Sequence, residues 1–212
     1  MATTGNKPFH FVPFSEKQKK LIYFWDRRSP YTNMDFVIAD GAIRSGKTIA
    51  MIVSFLLWSM KYYDGQAFIM AGRSIGALKR NVIQPMVNIL NTWGWDYKFN
   101  RSENYITIGN NIYYLFGANN EAAQDLVQGL TAAGLYADEV TLFPRSFVEQ
   151  AMSRCSLDGS KIFFNCNPGS PHHYIKKEYI EKREEKDIYH LHFVMDDNNA
   201  ISARSEERRV GK

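Results

Sequence analysis

The chain has 212 residues, 45% apolar and 14% aromatic, which is enough to bury one substantial core and excludes a disordered tail. The formal charge of +4 points to no polyanion partner by itself, and the two cysteines, Cys155 and Cys166, form no CxxC pair and have no histidine at zinc-finger spacing, which argues against disulfide and structural-zinc scaffolds and for ordinary reduced thiols. The longest apolar run, residues 49–60, is too short to span a bilayer and the N-terminus lacks an apolar export signal, so the sequence predicts a protein that stays in the cytoplasm with no membrane partner.

In chain order, Pro13 and Phe14 lead into Ser15, a good N-cap, and a helix is predicted over 15–25. Gln18 on that helix carries an amide able to donate to and accept from an adenine edge, with Phe14 placed to stack on the ring; a capped surface helix accounts for the same residues. The first strand is predicted at 36–39. It runs directly into Gly41, Ala42, Ile43, Arg44, Ser45, Gly46, Lys47 and Thr48, a match to GxxxxGK[ST], and then into a helix over 47–62. Glycines at that spacing let successive backbone N–H groups converge on phosphate oxygens while the helix presents its positive end. Lys47 is then expected on the β- and γ-phosphates of ATP and Thr48 on Mg²⁺.

Further buried strands are predicted at 67–71, 112–116, 134–137, 161–164 and 188–193, and residues 97–108 alternate like an antiparallel excursion. Helical patterns over 74–93, 122–127, 145–155 and 173–183 lie between them. This alternation predicts an α/β fold with a mostly parallel central sheet flanked by helices, in one domain over 1–203 that includes an N-terminal extension to about residue 30.

Two strand ends carry further chemistry. The run at 134–137 ends in Asp138 and Glu139, which reads as a Walker B pair: Asp138 holds Mg²⁺ and Glu139 orients and deprotonates the attacking water. The run at 161–164 ends in Asn165, Cys166 and Asn167, and both asparagines are candidates for contacts to the γ-phosphate or the water, although Asn-Pro is also a turn signal. The motif order suggests a P-loop NTPase of the catalytic-glutamate, RecA-like type.

The P-loop, the stretch QDLVQGLTAAGLYADEVTLFPRSFVEQAMSRCS and the downstream FFNCNPGSPHHYIKKEYI resemble the large terminase subunit of tailed bacteriophages over residues 14–197. The resemblance implies an N-terminal ATPase domain that drives double-stranded DNA into a procapsid, with a portal protein and a small terminase subunit as partners. It also implies a homo-oligomeric ring on the portal and a host-cytoplasmic location, and it puts the family's nuclease beyond residue 204. By position it places Lys47 and Thr48 on phosphate and magnesium, Asp138 and Glu139 on Walker B, Gln18 on the adenine side and residues 165–167 on the coupling motif. Where relatives carry a P-loop arginine this chain has Ile43, with Arg44 one position late. Relatives also carry an Arg-Gly ahead of Walker B, where Gln128-Gly129 stands here. Arg44 is therefore the first candidate for the transition-state arginine, followed by Arg73 and Arg80. Another P-loop DNA motor, of helicase or recombinase type, and a nucleotide-binding regulator without turnover are the alternatives.

The last nine residues, 204–212 (RSEERRVGK), resemble a translated sequencing adapter. Without their four bases and two acids the chain holds 22 bases against 20 acids, a charge of +2.

Overall fold

The computed structural model describes residues 12–167 and 170–200; the proposed adapter tail lies outside the described residues. In chain order the elements are α1 (Glu16–Ile22), β1 (Phe36–Gly41), α2 (Lys47–Tyr62), β2 (Ala67–Gly72), α3 (Ile75–Leu78), α4 (Gln84–Trp93), β3 (Tyr97–Asn100), β4 (Tyr105–Ile108), β5 (Asn111–Gly117), β6 (Gly134–Asp138), α5 (Arg145–Ser153), β7 (Lys161–Cys166) and β8 (Ile188–Phe193). The strands form one eight-stranded sheet in the order β3-β4-β5-β2-β6-β7-β1-β8. β3–β4 and β4–β5 pair antiparallel and the remaining neighbours pair parallel, so the alternating segment at 97–108 becomes a two-stranded flap on one edge.

Strand periodicity sorts the core into two layers, because successive side chains leave opposite faces of a sheet. Val37, Phe68, Tyr113, Tyr136 and Phe163 face α1, α2 and α4, while Ile38, Ile69, Leu135 and Phe164 face α5 and the 3-10 turn Glu121–Val127. On the first face the Phe55 ring of α2 makes edge contacts with Phe68, Tyr113, Tyr136 and Phe163 at centroid distances of 5.7, 6.0, 5.6 and 5.1 Å. Gly134 opens β6 where the fully buried Trp58 presses on the sheet: a Cβ there would lie 2.6 Å from Trp58 Cη2. Among the described residues no helix is long and apolar enough to cross a membrane.

Four predicted helices differ from those observed: the one over 122–127 forms the 3-10 turn Glu121–Val127, and the other three each depart for a local physical reason. The helix expected over 15–25 stops at Ile22, because the Trp25 indole donates to Ser54 Oγ (3.1 Å) and draws the chain onto α2. The one expected over 74–93 is interrupted by a π turn at Lys79–Ile83. Pro85 follows it, and a proline lacks the N–H and clashes with the carbonyl four residues back, which opens the preceding turn. The helix expected over 173–183 shrinks to a π turn at Lys176–Ile180 preceded by two helical residues. Tyr174 and Tyr179, like Ile175 and Ile180, are five apart, and an i→i+5 turn lays both pairs on the core.

Candidate functional site

The GxxxxGKT segment links the C-terminal end of β1 to the start of α2, at the carboxyl edge of the parallel strands where open α/β sheets bind ligands. Arg44 (φ +64°) and Gly46 (φ +81°) both occupy the left-handed region, which turns the intervening amides to one side. Among the described residues none of the backbone N–H groups of residues 43–48 donates to a protein acceptor. The Ser45 hydroxyl, fully buried in the loop, is likewise without a partner. These groups form a concave set of donors, as an anion cradle requires. The Lys47 ammonium folds back over the loop and donates to the carbonyls of Gly41 (3.1 Å) and Ala42 (3.0 Å). Burial lowers its pKa, against the opposing pull of Cys166, Asp138, Asp40 and Glu139.

Asp138 ends β6, and its register partner Asn165 stands on β7, the strand between β6 and β1. The Asn165 amide nitrogen donates to Asp138 Oδ1 (2.6 Å) and to Thr48 Oγ1 (2.9 Å), so side chains from three elements meet at one point. Burial raises the Asp138 carboxyl to about 6; the Asn165 bond opposes the rise, Glu139 adds to it and Lys47 opposes it. Among the described residues no group of three or more His, Cys, Asp or Glu side chains forms a metal cluster. What the site offers is two hard oxygens, Thr48 Oγ1 and Asp138 Oδ1, bridged by one amide, beside the buried, unpartnered Asn165 Oδ1. That donor set fits Mg²⁺, which takes few protein ligands and completes its shell with water and phosphate oxygens.

Glu139 sits just beyond, exposed, at φ 57° and ψ 42°, so the chain turns sharply and the two neighbouring carboxylates do not share a direction. Asn167 is not drawn into the cluster: it is exposed, and its carbonyl accepts from Thr141 Oγ1 (3.4 Å). Gln18 is buried; its Oε1 accepts from the Ser15 backbone N–H (2.9 Å) in a capping box and its Nε2 reaches the Gly46 carbonyl (3.4 Å). Gln18 thus lies against the phosphate loop, and Phe14 packs against the core. Ile43 points into solvent (72% exposed) while the side chains of Arg44, Arg73 and Arg80 are exposed around the same edge of the sheet.

Two features escaped the sequence. Asp40, buried just ahead of Gly41, accepts from His190 Nε2 (2.7 Å) and His192 Nδ1 (3.1 Å) on β8. Burial pushes its carboxyl up, but the two histidine bonds outweigh that and hold it below its ordinary value. The i, i+2 spacing of His190 and His192 on a strand was the available signal, since it puts both on one face. Asn198, beyond β8, donates to the Arg44 carbonyl (2.6 Å), and no motif marks it.

A phosphate loop after one strand, an acidic end on a strand two positions away and a polar strand end between them define a P-loop nucleotide-binding α/β domain, with the extra strand of the catalytic-glutamate class. Residues 38–209 match the family model for the terminase large subunit, T4likevirus-type, N-terminal, and the chain belongs to that family. The large terminase from a thermophilic bacteriophage is 50% identical over 93% of this chain and 50% of that one, with a TM-score of 0.87. The complex of that phage's large terminase with ATP-gamma-S superposes with a TM-score of 0.85 at 47% identity, over 93% of this chain and 49% of that one. The chain thus spans about half the length of these relatives. The ATPase domain of the Thermus phage P74-26 large terminase shares the fold at 12% identity, with a TM-score of 0.64 over 96% of this chain and 88% of that one. No curated protein sequence matches the chain. The chain is therefore an N-terminal domain of a terminase large subunit.

Proposed function

We propose that this domain hydrolyses ATP with Mg²⁺ and that the hydrolysis drives double-stranded viral DNA into a procapsid. The reading includes a homo-oligomeric ring on a portal protein, with a small terminase subunit, in the host cytoplasm. The observation that carries it is the meeting of Thr48, Asp138 and Asn165 beside the P-loop lysine. In this reading Lys47 exchanges its two loop carbonyls for β- and γ-phosphate oxygens, and the open N–H groups of 43–48 hold the rest of the triphosphate. Thr48 and Asp138 would hold Mg²⁺, which neutralises the triphosphate charge. Glu139 takes the proton of the water whose oxygen bonds to the γ-phosphorus, while the bond to the β-phosphate oxygen breaks and its electron pair leaves with ADP. A transition-state arginine, from Arg44, Arg73 or Arg80 in cis or from a neighbouring subunit, contributes ~10³ to 10⁵ in rate in such motors.

The test is Mg²⁺-dependent ATP hydrolysis by the chain beside Lys47→Ala, with and without double-stranded DNA. Turnover in the parent that Lys47→Ala abolishes supports the reading; equal turnover in both would overturn it.

A DNA partner finds support in one lobe. Residues 73–120 carry five bases, Arg73, Lys79, Arg80, Lys98 and Arg101, against two acids, Asp96 and Glu103. None of those bases joins an ion pair among the described residues, whereas ion pairs occupy Lys17, Lys19, Arg28, Lys61, Arg145, Lys161, Lys182 and Arg183 elsewhere. Lys79 and Arg101 flank the Phe99 ring at 5.6 and 5.8 Å in a groove shared with Tyr97 and Gln84. Replacing both Lys79 and Arg101 with Ala is expected to remove DNA stimulation and to flatten the salt dependence of DNA binding, by roughly one unit of slope per lost phosphate contact. ATP hydrolysis without DNA should stay unchanged, and an unaltered salt slope would exclude this lobe.

A further inference from the structure

The phosphate loop is held from outside by a strap that follows β8. At its start the Ala42 N–H donates to the Phe193 carbonyl (2.9 Å), and further on Asn198 Nδ2 donates to the Arg44 carbonyl (2.6 Å). Between these points the strap is tied to α1 and the chain ahead of it: Asp197 pairs with Lys17 Nζ at 2.7 Å, and beyond them Asn199 Nδ2 donates to the Pro13 carbonyl at 2.9 Å. Lys17 Nζ also reaches the His192 carbonyl at 3.1 Å. Asn198 Oδ1 accepts from the Ala200 N–H (3.1 Å), which fixes the amide with its nitrogen toward Arg44.

The Arg44 peptide needs such a partner. A non-glycine residue in the left-handed region costs of order 1 kcal/mol or more and persists only where the surroundings impose it. Turning the N–H groups of the cradle inward turns their carbonyls outward, and the Arg44 carbonyl belongs to the same peptide as the Ser45 N–H. A donor on that carbonyl both holds the peptide's orientation and polarises its N–H toward a bound anion, since chained hydrogen bonds reinforce one another. On the next outward carbonyl but one, Gly46, the same service comes from Gln18. A Cβ on Gly46 would come within 3.2 Å of Asn198 Cγ, so the strap also fills the space behind the loop.

We propose that Asn198 is a positioning residue for nucleotide binding: through the Arg44 carbonyl it presets the phosphate cradle, so that residues 193–199 form part of the nucleotide site without touching the nucleotide. The inference rests on the P-loop reading of this site. One neutral hydrogen bond of this kind corresponds to a ~3- to 10-fold change in affinity.

Fluorescent ADP and ATP titrations of the whole chain, with Asn198→Leu and Asn198→Asp, test it, because both keep the side chain's size and remove the donor. Both should bind ~3- to 10-fold more weakly, with kcat at saturating ATP within about twofold of the parent and a melting temperature lowered by no more than about 5 °C. Asn198→Gln, which keeps an amide, should recover part of the affinity. Asn199→Ala cuts a tie of the same strap that does not reach the loop and should bind as the parent does. Parental affinity in both Asn198 variants would overturn the proposal, as would an equal loss in Asn199→Ala, which would mean that the strap acts only by general stability. Lys47→Ala separates the two levels: if it too binds normally, the P-loop reading fails; if it alone loses binding, only the role of Asn198 does.

Discussion

Glu139→Gln is expected to bind ATP with parental affinity and to lose turnover by ~10² to 10⁴-fold, the range a positioned general base supplies. The geometry separates it from its neighbour. Asp138 is buried beside Asn165, Thr48 and Lys47, whereas Glu139 turns out through a left-handed backbone and is exposed. That backbone conformation costs a non-glycine residue ~1–3 kcal/mol, a strain of the kind that collects at functional sites. Glutamine keeps the shape and the hydrogen-bonding length and loses only the base, so binding and chemistry come apart. Equilibrium nucleotide binding beside steady-state hydrolysis checks it, and turnover within about threefold of the parent would remove Glu139 from the mechanism.

Asp138→Asn should also abolish turnover, for a different reason, and should stabilise the nucleotide-free protein. The folded state raises this carboxyl from 3.8 to about 6, so its proton is held more tightly in the folded chain than in the unfolded one. Stability from such a group is full below pH 3.8 and is lost as pH rises through about 6. At pH 8 the ionised carboxylate costs the empty site up to ~3 kcal/mol, and at pH 5 about half of that. Asparagine cannot ionise and its oxygen can still accept from the Asn165 amide. The variant should therefore melt ~6–12 °C above the parent at pH 8, with the gap shrinking by roughly half at pH 5. Melting curves at both pH values, without nucleotide, decide the matter; a gap that is absent, or the same at both, would mean that burial of Asp138 is not the destabilising element. In this reading a charge too expensive for an empty site is kept because a divalent cation makes it favourable.

Much of the site was legible because its chemistry is local in sequence. The eight residues 41–48 determine the phosphate loop wherever a strand precedes them and a helix follows, since the glycines and the helix start are contiguous. The six apolar runs read as buried strands all became strands, and their alternation with helical patterns was enough for the α/β class. Asp138 was readable as a strand end, because a carboxylate after an uninterrupted buried run has few other places to be.

Which separate segments meet is set by the order of strands in the sheet, and no periodicity encodes that. Strand order placed β7 between β6 and β1, which turned Asn165 from a turn-forming residue into the amide that joins Asp138 to Thr48. The capping box of α1 and the close approach of Gly46 bring the Gln18 amide to the phosphate loop, 28 positions away in sequence. Asp40 read as the end of an ordinary strand until β8 brought His190 and His192 alongside it. Asn198 lies 154 positions from the carbonyl it holds. Contacts across such separations depend on chain closure and packing rather than on neighbouring residues. The strand runs and the phosphate loop follow from contiguous residues, whereas the bounds of several helices and the company the site residues keep were set only in the folded sheet.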